Sequence, residues 1–337
     1  MSSINLENLT IPKSTNCSFL LSDCPELESV TLPKNATIIH SLIFDGCYNL
    51  KNVDIPDTVT TIGYGAFRGC TSLESITIPD SVTIIDEGAF KGCTKLKNIT
   101  LSSSLTTISK EAFCNCTELE SIIIPDSVIS IDEAAFKGCT KLKNIILPSL
   151  LTAIGSEAFS NCISLESINI PDGVISIRRR AFENCTSLKS IKIPDSVKNI
   201  DSYAFDGCKK LKDITIPNSV TLIDMCVFEN CESLEHIKLP DSIDNIYNNT
   251  FAGCSSLEYI TIPDAVKSIG SYAFSECKSL ENLEIPYGVT DIGFMAFYNC
   301  KNLKNITIPT SLNYISSYAF SECESLETVT IISDCTS

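Results

Sequence analysis

Hydrophobic and polar positions follow one 23-residue phrase that repeats along nearly the whole chain without insertion or deletion. Cysteine marks it at fourteen places, from Cys24 to Cys323. A leucine stands three residues after every one of these (Leu27 to Leu326), and a phenylalanine three residues before thirteen of them (Phe44 to Phe320), with Leu21 taking that place in the first copy. Within a copy the apolar spacing changes. Phe67, Cys70 and Leu73 lie three apart, which puts them on one side of a short helical or 3₁₀ turn and would scatter them over both faces of a strand. Ile76 and Ile78 lie two apart, which predicts a short strand. Pro79 removes a backbone donor and, with Asp80 and Ser81, ends that strand in a turn. Proline fills this place in twelve of the fourteen copies, with Ser102 and Ile332 the exceptions. Val82 and Ile85 return to the interior, and Asp86, like Asp132, Asp201 and Asp224 in other copies, is placed to cap the next helical turn.

One copy has too few inward positions to bury them alone, so neighbouring copies must stack and share a continuous core. The pattern predicts a single elongated α/β solenoid, with a partial repeat or cap over residues 1–23 and fourteen tandem coils over 24–337, the last one truncated. The spacing of Leu73, Ile76 and Ile78 matches the strand segment of leucine-rich repeats, and Ile85, Ala89, Phe90 and Cys93 resemble the BspA-like class of that superfamily. Where most leucine-rich repeats continue with Asn or Cys, this chain has Pro79-Asp80-Ser81-Val82, so the buried asparagine ladder is absent. The resemblance runs from about Leu9 to Cys335. It implies a right-handed superhelix with a parallel β-sheet on the concave face and short helical or 3₁₀ turns on the convex face. BspA-like proteins are surface adhesion and recognition proteins of bacteria and parasitic protists, so the resemblance implies protein binding without catalysis.

Charge narrows the partners. Twenty-five Lys and Arg against 41 Asp and Glu leave a net charge of −16, which repels phosphate backbones and makes nucleic acid an unsuitable ligand. Fourteen of the eighteen cysteines belong to the period. Equivalent side chains on stacked coils run parallel about 5 Å apart, too far and too parallel for disulfides, and a row of single thiols does not converge on zinc. They are therefore read as free, buried thiols, and Cys335, in the valine slot of the last copy, as a further core position. Cys17, Cys114 and Cys226 fall off the register and are expected to be the accessible ones.

Chemistry beyond packing is sparse. The residue after each repeat leucine is charged throughout, alternating in sign from Glu28 and Lys51 to Glu166 and Lys189, which predicts cross-strand ion pairs that fix register. The aspartates after the prolines, such as Asp80 and Asp126, suit turns better than calcium. His40 and His236 stand alone, and no glycine-rich phosphate loop or nucleophile elbow occurs, so no cofactor, metal site or enzymatic activity is expected. Arg178-Arg179-Arg180 reads as a solvated convex turn, with an anionic-ligand patch as the alternative.

The outward strand position, expected on the concave face, is mostly Thr, a bland choice for an exposed strand. Ile123 and Ile146 depart from it as adjacent exposed aliphatics, and His236, Lys238, Tyr259, Glu284 and Tyr287 collect in neighbouring later coils. These seven are the candidate protein-binding residues. Two functions follow. One is a surface adhesin or antigen that binds a host or matrix protein, or a glycan. The other is an intracellular scaffold binding a partner protein, favoured by free thiols and by a first segment, Met1 to Asn8, without the basic and apolar regions of a signal peptide. No window is apolar enough for a transmembrane helix. The array breaks off within a repeat at Ile331 to Cys335, and an uncapped coil would offer a surface for end-to-end self-association.

Overall fold

The computed structural model describes residues 2–5 and 20–332. The chain divides into two compact units, Met1–Gly173 and Val174–Ser337. Both are parallel-strand β-solenoids built from the same coil. Each coil contributes two short strands where the sequence pattern marks one. In the first unit these are, for example, Ser75–Thr77 and Ile84–Ile85; in the second, Asp213–Thr215 and Leu222–Ile223. Strands pair in parallel with the equivalent strands of the next coil, in a register equal to the repeat: Ile76 opposite Ile99 and Ile62 opposite Ile85, then Ile214 opposite Ile237 and Ile200 opposite Ile223. In the three-residue strands the middle side chain is buried and the flanking two face solvent, as a period of two requires. The second strand is missed in the sequence because it is only two residues long and offers no alternation to detect.

The expected helical or 3₁₀ turns are not formed: among the described residues there is no helix. The reason lies in where alternate amides point. Ala66, Arg68 and Cys70 donate to carbonyls three residues back, at Gly63, Gly65 and Phe67. The amides between them, of Gly65, Phe67 and Gly69, donate to Glu87, Ala89 and Lys91 of the next coil. Half the donors that a helix would use internally therefore hold one coil to another. The local bonds alternate and never run consecutively, so three-residue side-chain spacing is achieved by linked turns. Two residues in each such turn take left-handed dihedrals, Gly65 at φ 54° and Gly69 at φ 70° in this coil. The second of these places is filled by Asp23 in the first described coil and by Gly, Asn or Glu in the others, residues that include the two types most at ease in that region. Asp86, expected as a helix cap, instead accepts the amide of Glu87 at 2.7 Å within the turn.

Burial follows the repeat. Phe44 to Phe159 in the first unit and Phe182 to Phe297 in the second are fully enclosed. Successive rings stack nearly parallel, with centroids 5.2 Å apart for Phe67 and Phe90 and 5.7 Å for Phe205 and Phe228. That offset arrangement adds to the transfer free energy of burial. The cysteine ladder has a further role. The Cys70 thiol donates to the Phe44 carbonyl of the preceding coil at 3.2 Å, and Cys231 to Phe205 at 3.3 Å. Each carbonyl already accepts the amide three residues on, so the thiol engages its second lone pair. A small apolar side chain with a weak donor suits this place better than alanine. Among the described residues no disulfide is formed, as the parallel geometry predicts.

Two expectations about cysteine are overturned. Cys114 and Cys226 are 4% and 5% exposed. Cys114 sits in a column flanked by Lys91 and Lys137, whose longer side chains reach Glu111 and Glu157 and roof over the shorter thiol. The Cys226 thiol tucks against the Asn248 carbonyl at 3.8 Å. Cys17 and Cys335 lie outside the described residues, as does the segment after Ile332 on which self-association was based. The strand Ser2–Asn5 pairs in parallel with Leu27–Thr31.

Candidate functional site

Outward side chains form columns along the strand face, because every coil repeats the same register. The first column is small and polar almost everywhere: Asn52, Ser75, Asn98, Ser121, Asn144 and Ser167 in the first unit, then Ser190 at the start of the second. It changes over three consecutive strands to Asp213, His236 and Tyr259, which stand directly opposite one another. The second column runs beside it as Thr215, Lys238 and Thr261. These six side chains make a two-by-three array within Val174–Ser337. With Asp241 and Pro263 at its edge, the array lines a groove of about 480 Å³, floored by the backs of Ile214, Ile237 and Leu239. Of the candidates read from the sequence, His236, Lys238 and Tyr259 meet here. Glu284 is exposed on the strand Asn282–Glu284 and Tyr287 is exposed beyond Pro286, but neither lines the groove. Ile123 and Ile146 face solvent in the other unit, opposite one another on adjacent strands.

The groove's polar groups differ from others on the surface. Most lysines with a resolved ion pair serve the ladders between coils, such as Lys51 with Glu28 at 3.2 Å and Lys304 with Glu281 at 3.2 Å. Lys212 beside the groove pairs with Glu235 at 2.8 Å, and its ammonium holds the Glu235 carboxyl below the usual range. Lys238, by contrast, makes no ion pair or hydrogen bond among the described residues. The His236 ring stacks on Tyr259 with centroids 4.4 Å apart, and its Nδ1 is buried without a hydrogen-bond partner. An unsatisfied buried nitrogen costs about 1–3 kcal/mol, so a strand position elsewhere filled by Ser or Asn carries a penalty here. Tyr259 is 58% exposed.

Asp213, Thr215, Asp241 and Thr261 were not singled out in the sequence. Asp213 had a signal: it is the first residue to break the Ser/Asn column, one coil before His236. The threonines have none, because the same residue fills that column for ordinary strand reasons. The arginine run is partly consumed internally, since Arg180 pairs with Glu183 at 2.9 Å and lies over the Tyr203 ring at 4.7 Å. Asp80, read as a turn residue, bonds to the next coil instead: its carboxylate accepts both the amide and the hydroxyl of Ser103, which holds its carboxyl below the usual range. Among the described residues no group of three or more His, Cys, Asp and Glu is arranged to hold a metal ion. No helix is long and apolar enough to cross a membrane.

The model of the BspA type leucine-rich repeat region matches residues 17–143, 106–235 and 222–337. This chain belongs to the BspA-type leucine-rich-repeat family. Solved structures agree. A leucine-rich repeat protein from Bacteroides ovatus is 32% identical, with 97% of this chain and 78% of that one covered and a TM-score of 0.73. A leucine-rich cell surface protein from Faecalibacterium prausnitzii is 30% identical, with 99% and 84% covered and a TM-score of 0.57. A leucine-rich repeat protein from Eubacterium ventriosum is 25% identical over 92% of this chain and 85% of that one, with a TM-score of 0.61. Comparison with curated proteins finds no match.

Proposed function

We propose that this chain is a non-enzymatic recognition module that binds a protein partner through its strand face, on the surface of the cell that makes it. The observation that carries the reading is the pair Ile123 and Ile146. Both are in register on adjacent strands and are 82% and 80% exposed, where the flanking coils present the polar Thr100 and Asn169. Nothing in strand packing requires two bare aliphatics side by side, whereas an interface that removes them from water gains from both. The family supports binding as the activity, and the description of the Faecalibacterium relative as a cell surface protein supports the location. The test is affinity capture on the wild-type chain and on Ile123→Asp/Ile146→Asp. A partner retained by the first and lost by the second is the expected result, and identical captures on both remove the strand face of the first unit from the function.

A second reading has its own support. A ladder of thiols without disulfides is at home in a reducing compartment, where an intracellular scaffold would act. Surface biotinylation of intact cells separates the two: a labelled protein supports the surface module, and an unlabelled one supports the scaffold.

A further inference from the structure

We propose that the groove around Tyr259 is a saccharide site that accepts a neutral sugar. The inference goes beyond the protein-binding reading and concerns the unit Val174–Ser337 alone. Its basis is the mixture of groups that the register brings together. Asp213 and Asp241 supply acceptors at the two ends of the array, Lys238 supplies a three-proton donor between them, and Thr215 and Thr261 supply hydroxyls that do either. A sugar hydroxyl both donates and accepts, so a ring carrying several of them needs acceptors and donors interleaved at strand spacing. This array provides that over three strands about 4.8 Å apart. Tyr259 supplies the remaining requirement, a largely exposed aromatic ring at the groove's end, stacked on His236, against which the C–H groups of a sugar ring pack. A concave site of about 480 Å³ with a few converging polar groups over an apolar floor is of ordinary size for a small ligand.

Charge selects against the alternatives. An acidic ligand drawn to Lys238 meets Asp213 and Asp241 on either side, within a chain of net charge −16. A basic ligand drawn to those aspartates meets Lys238 at the centre, with Lys192 two strands away in the same column. A neutral polyol satisfies both signs at once. The site also has something to gain from occupancy: His236 stacks on Tyr259 with its Nδ1 unsatisfied, and a rotation of the ring that offers this nitrogen a ligand hydroxyl recovers a hydrogen bond missing in the empty groove.

The experiment is a glycan array carrying neutral, sialylated and sulfated oligosaccharides, probed with the full chain. Calorimetry of the best-retained free saccharide then follows on wild type, Tyr259→Ala, Tyr259→Phe, Lys238→Ala and Ile123→Asp/Ile146→Asp. Neutral saccharides are expected to be retained, with affinity at least tenfold weaker for Tyr259→Ala and Lys238→Ala. Tyr259→Phe keeps the ring and stays within threefold of wild type, and the isoleucine double variant binds as wild type. All the substituted side chains face outward, so circular dichroism of each variant is expected to match wild type. An array that retains no neutral saccharide, or only sialylated or sulfated ones, overturns the proposal, as does binding that survives Tyr259→Ala. Loss of protein capture by the isoleucine double variant with saccharide binding intact would show the two sites to be separate, so either reading can fail alone.

Discussion

The two units share an interior and differ in what they display. Inside, Phe136 and Phe251 occupy the same place in their respective stacks, and Cys139 and Cys254 make the same bond to the carbonyl of the preceding coil. Outside, the units part. The first left-handed place of the turn holds Leu42, Gly65, Gly88, Glu111, Ala134 and Glu157 in the first unit, and Arg180, Tyr203, Cys226, Asn249, Tyr272, Met295 and Tyr318 in the second. Non-glycine side chains at positive φ cost roughly 1–2 kcal/mol each against glycine, and the second unit, with no glycine at this place, carries more of that cost than the first. In return it shows an aromatic edge, with Phe294 meeting both Tyr272 and Tyr318 edge to face. The strand face differs in the same sense: Thr and two isoleucines on one side, the Asp213, His236 and Tyr259 array on the other. The repeat constrains only the positions that touch the next coil, and the remainder is free to diverge.

The comparison can be broken most forcefully at alkaline pH. Burial pushes the ladder thiols upward in both units, in the first Cys47 from its ordinary value of 9.0 to about 11 and Cys93 to about 12, and in the second Cys208 and Cys254 well above the ordinary value. A group whose pKa is raised on folding contributes stability that is complete below its unfolded value and is lost as pH rises through the folded one. Both units are therefore expected to be stable up to about pH 9 and to unfold together between that point and pH 12, monitored by circular dichroism. Unfolding of one unit well before the other would show that the ladders are not equivalent. Next in size, Phe136→Ala and Phe251→Ala should each cost roughly 3–5 kcal/mol by urea denaturation, and by matching amounts. A disparity of several kcal/mol would mean that the interiors only look alike.

Smaller effects sharpen the picture. Gly138 and Gly253 hold φ 73° and 75°, and a Cβ at either would collide with the side-chain oxygen of Asn115 or Asn230 in the preceding coil. Replacement of either by alanine is expected to cost about 1–3 kcal/mol, read by the same denaturation. At the surface, Lys97→Ala and Lys212→Ala each remove one exposed ion pair, to Glu74 at 3.7 Å and to Glu235 at 2.8 Å. Each should leave the urea midpoint nearly unchanged, and the more so in high salt. A larger loss at either would make the charge ladder a structural element rather than a register guide.

Much of the fold was legible because a 23-residue period forces equivalent residues to lie side by side. Phe67, Cys70, Leu73 and Ile76 were readable as interior from one copy, and Ile123 beside Ile146 from two. The cross-coil ion pair of Lys51 and Glu28 followed from the charge alternation in the same way. The site was legible in part. His236, Lys238 and Tyr259 stood out as unusual residue types, whereas Thr215 and Thr261 belong to the groove only through their neighbours. Cys114 looked accessible because its off-register place says nothing of the lysines that cover it.

The sequence by itself determined the period, the inward residues, the strand end at proline and the register, since each depends on spacing along one chain. Tertiary structure decided whether the phenylalanine turn is a helix, which places form the second strand, which thiols are covered, and which outward residues share a groove. The physical reason is common to all four. Every second amide of the turn bonds to a carbonyl in the next coil, and the groove's cross-strand neighbours are 23 residues away, so these outcomes depend on partners that no local window contains.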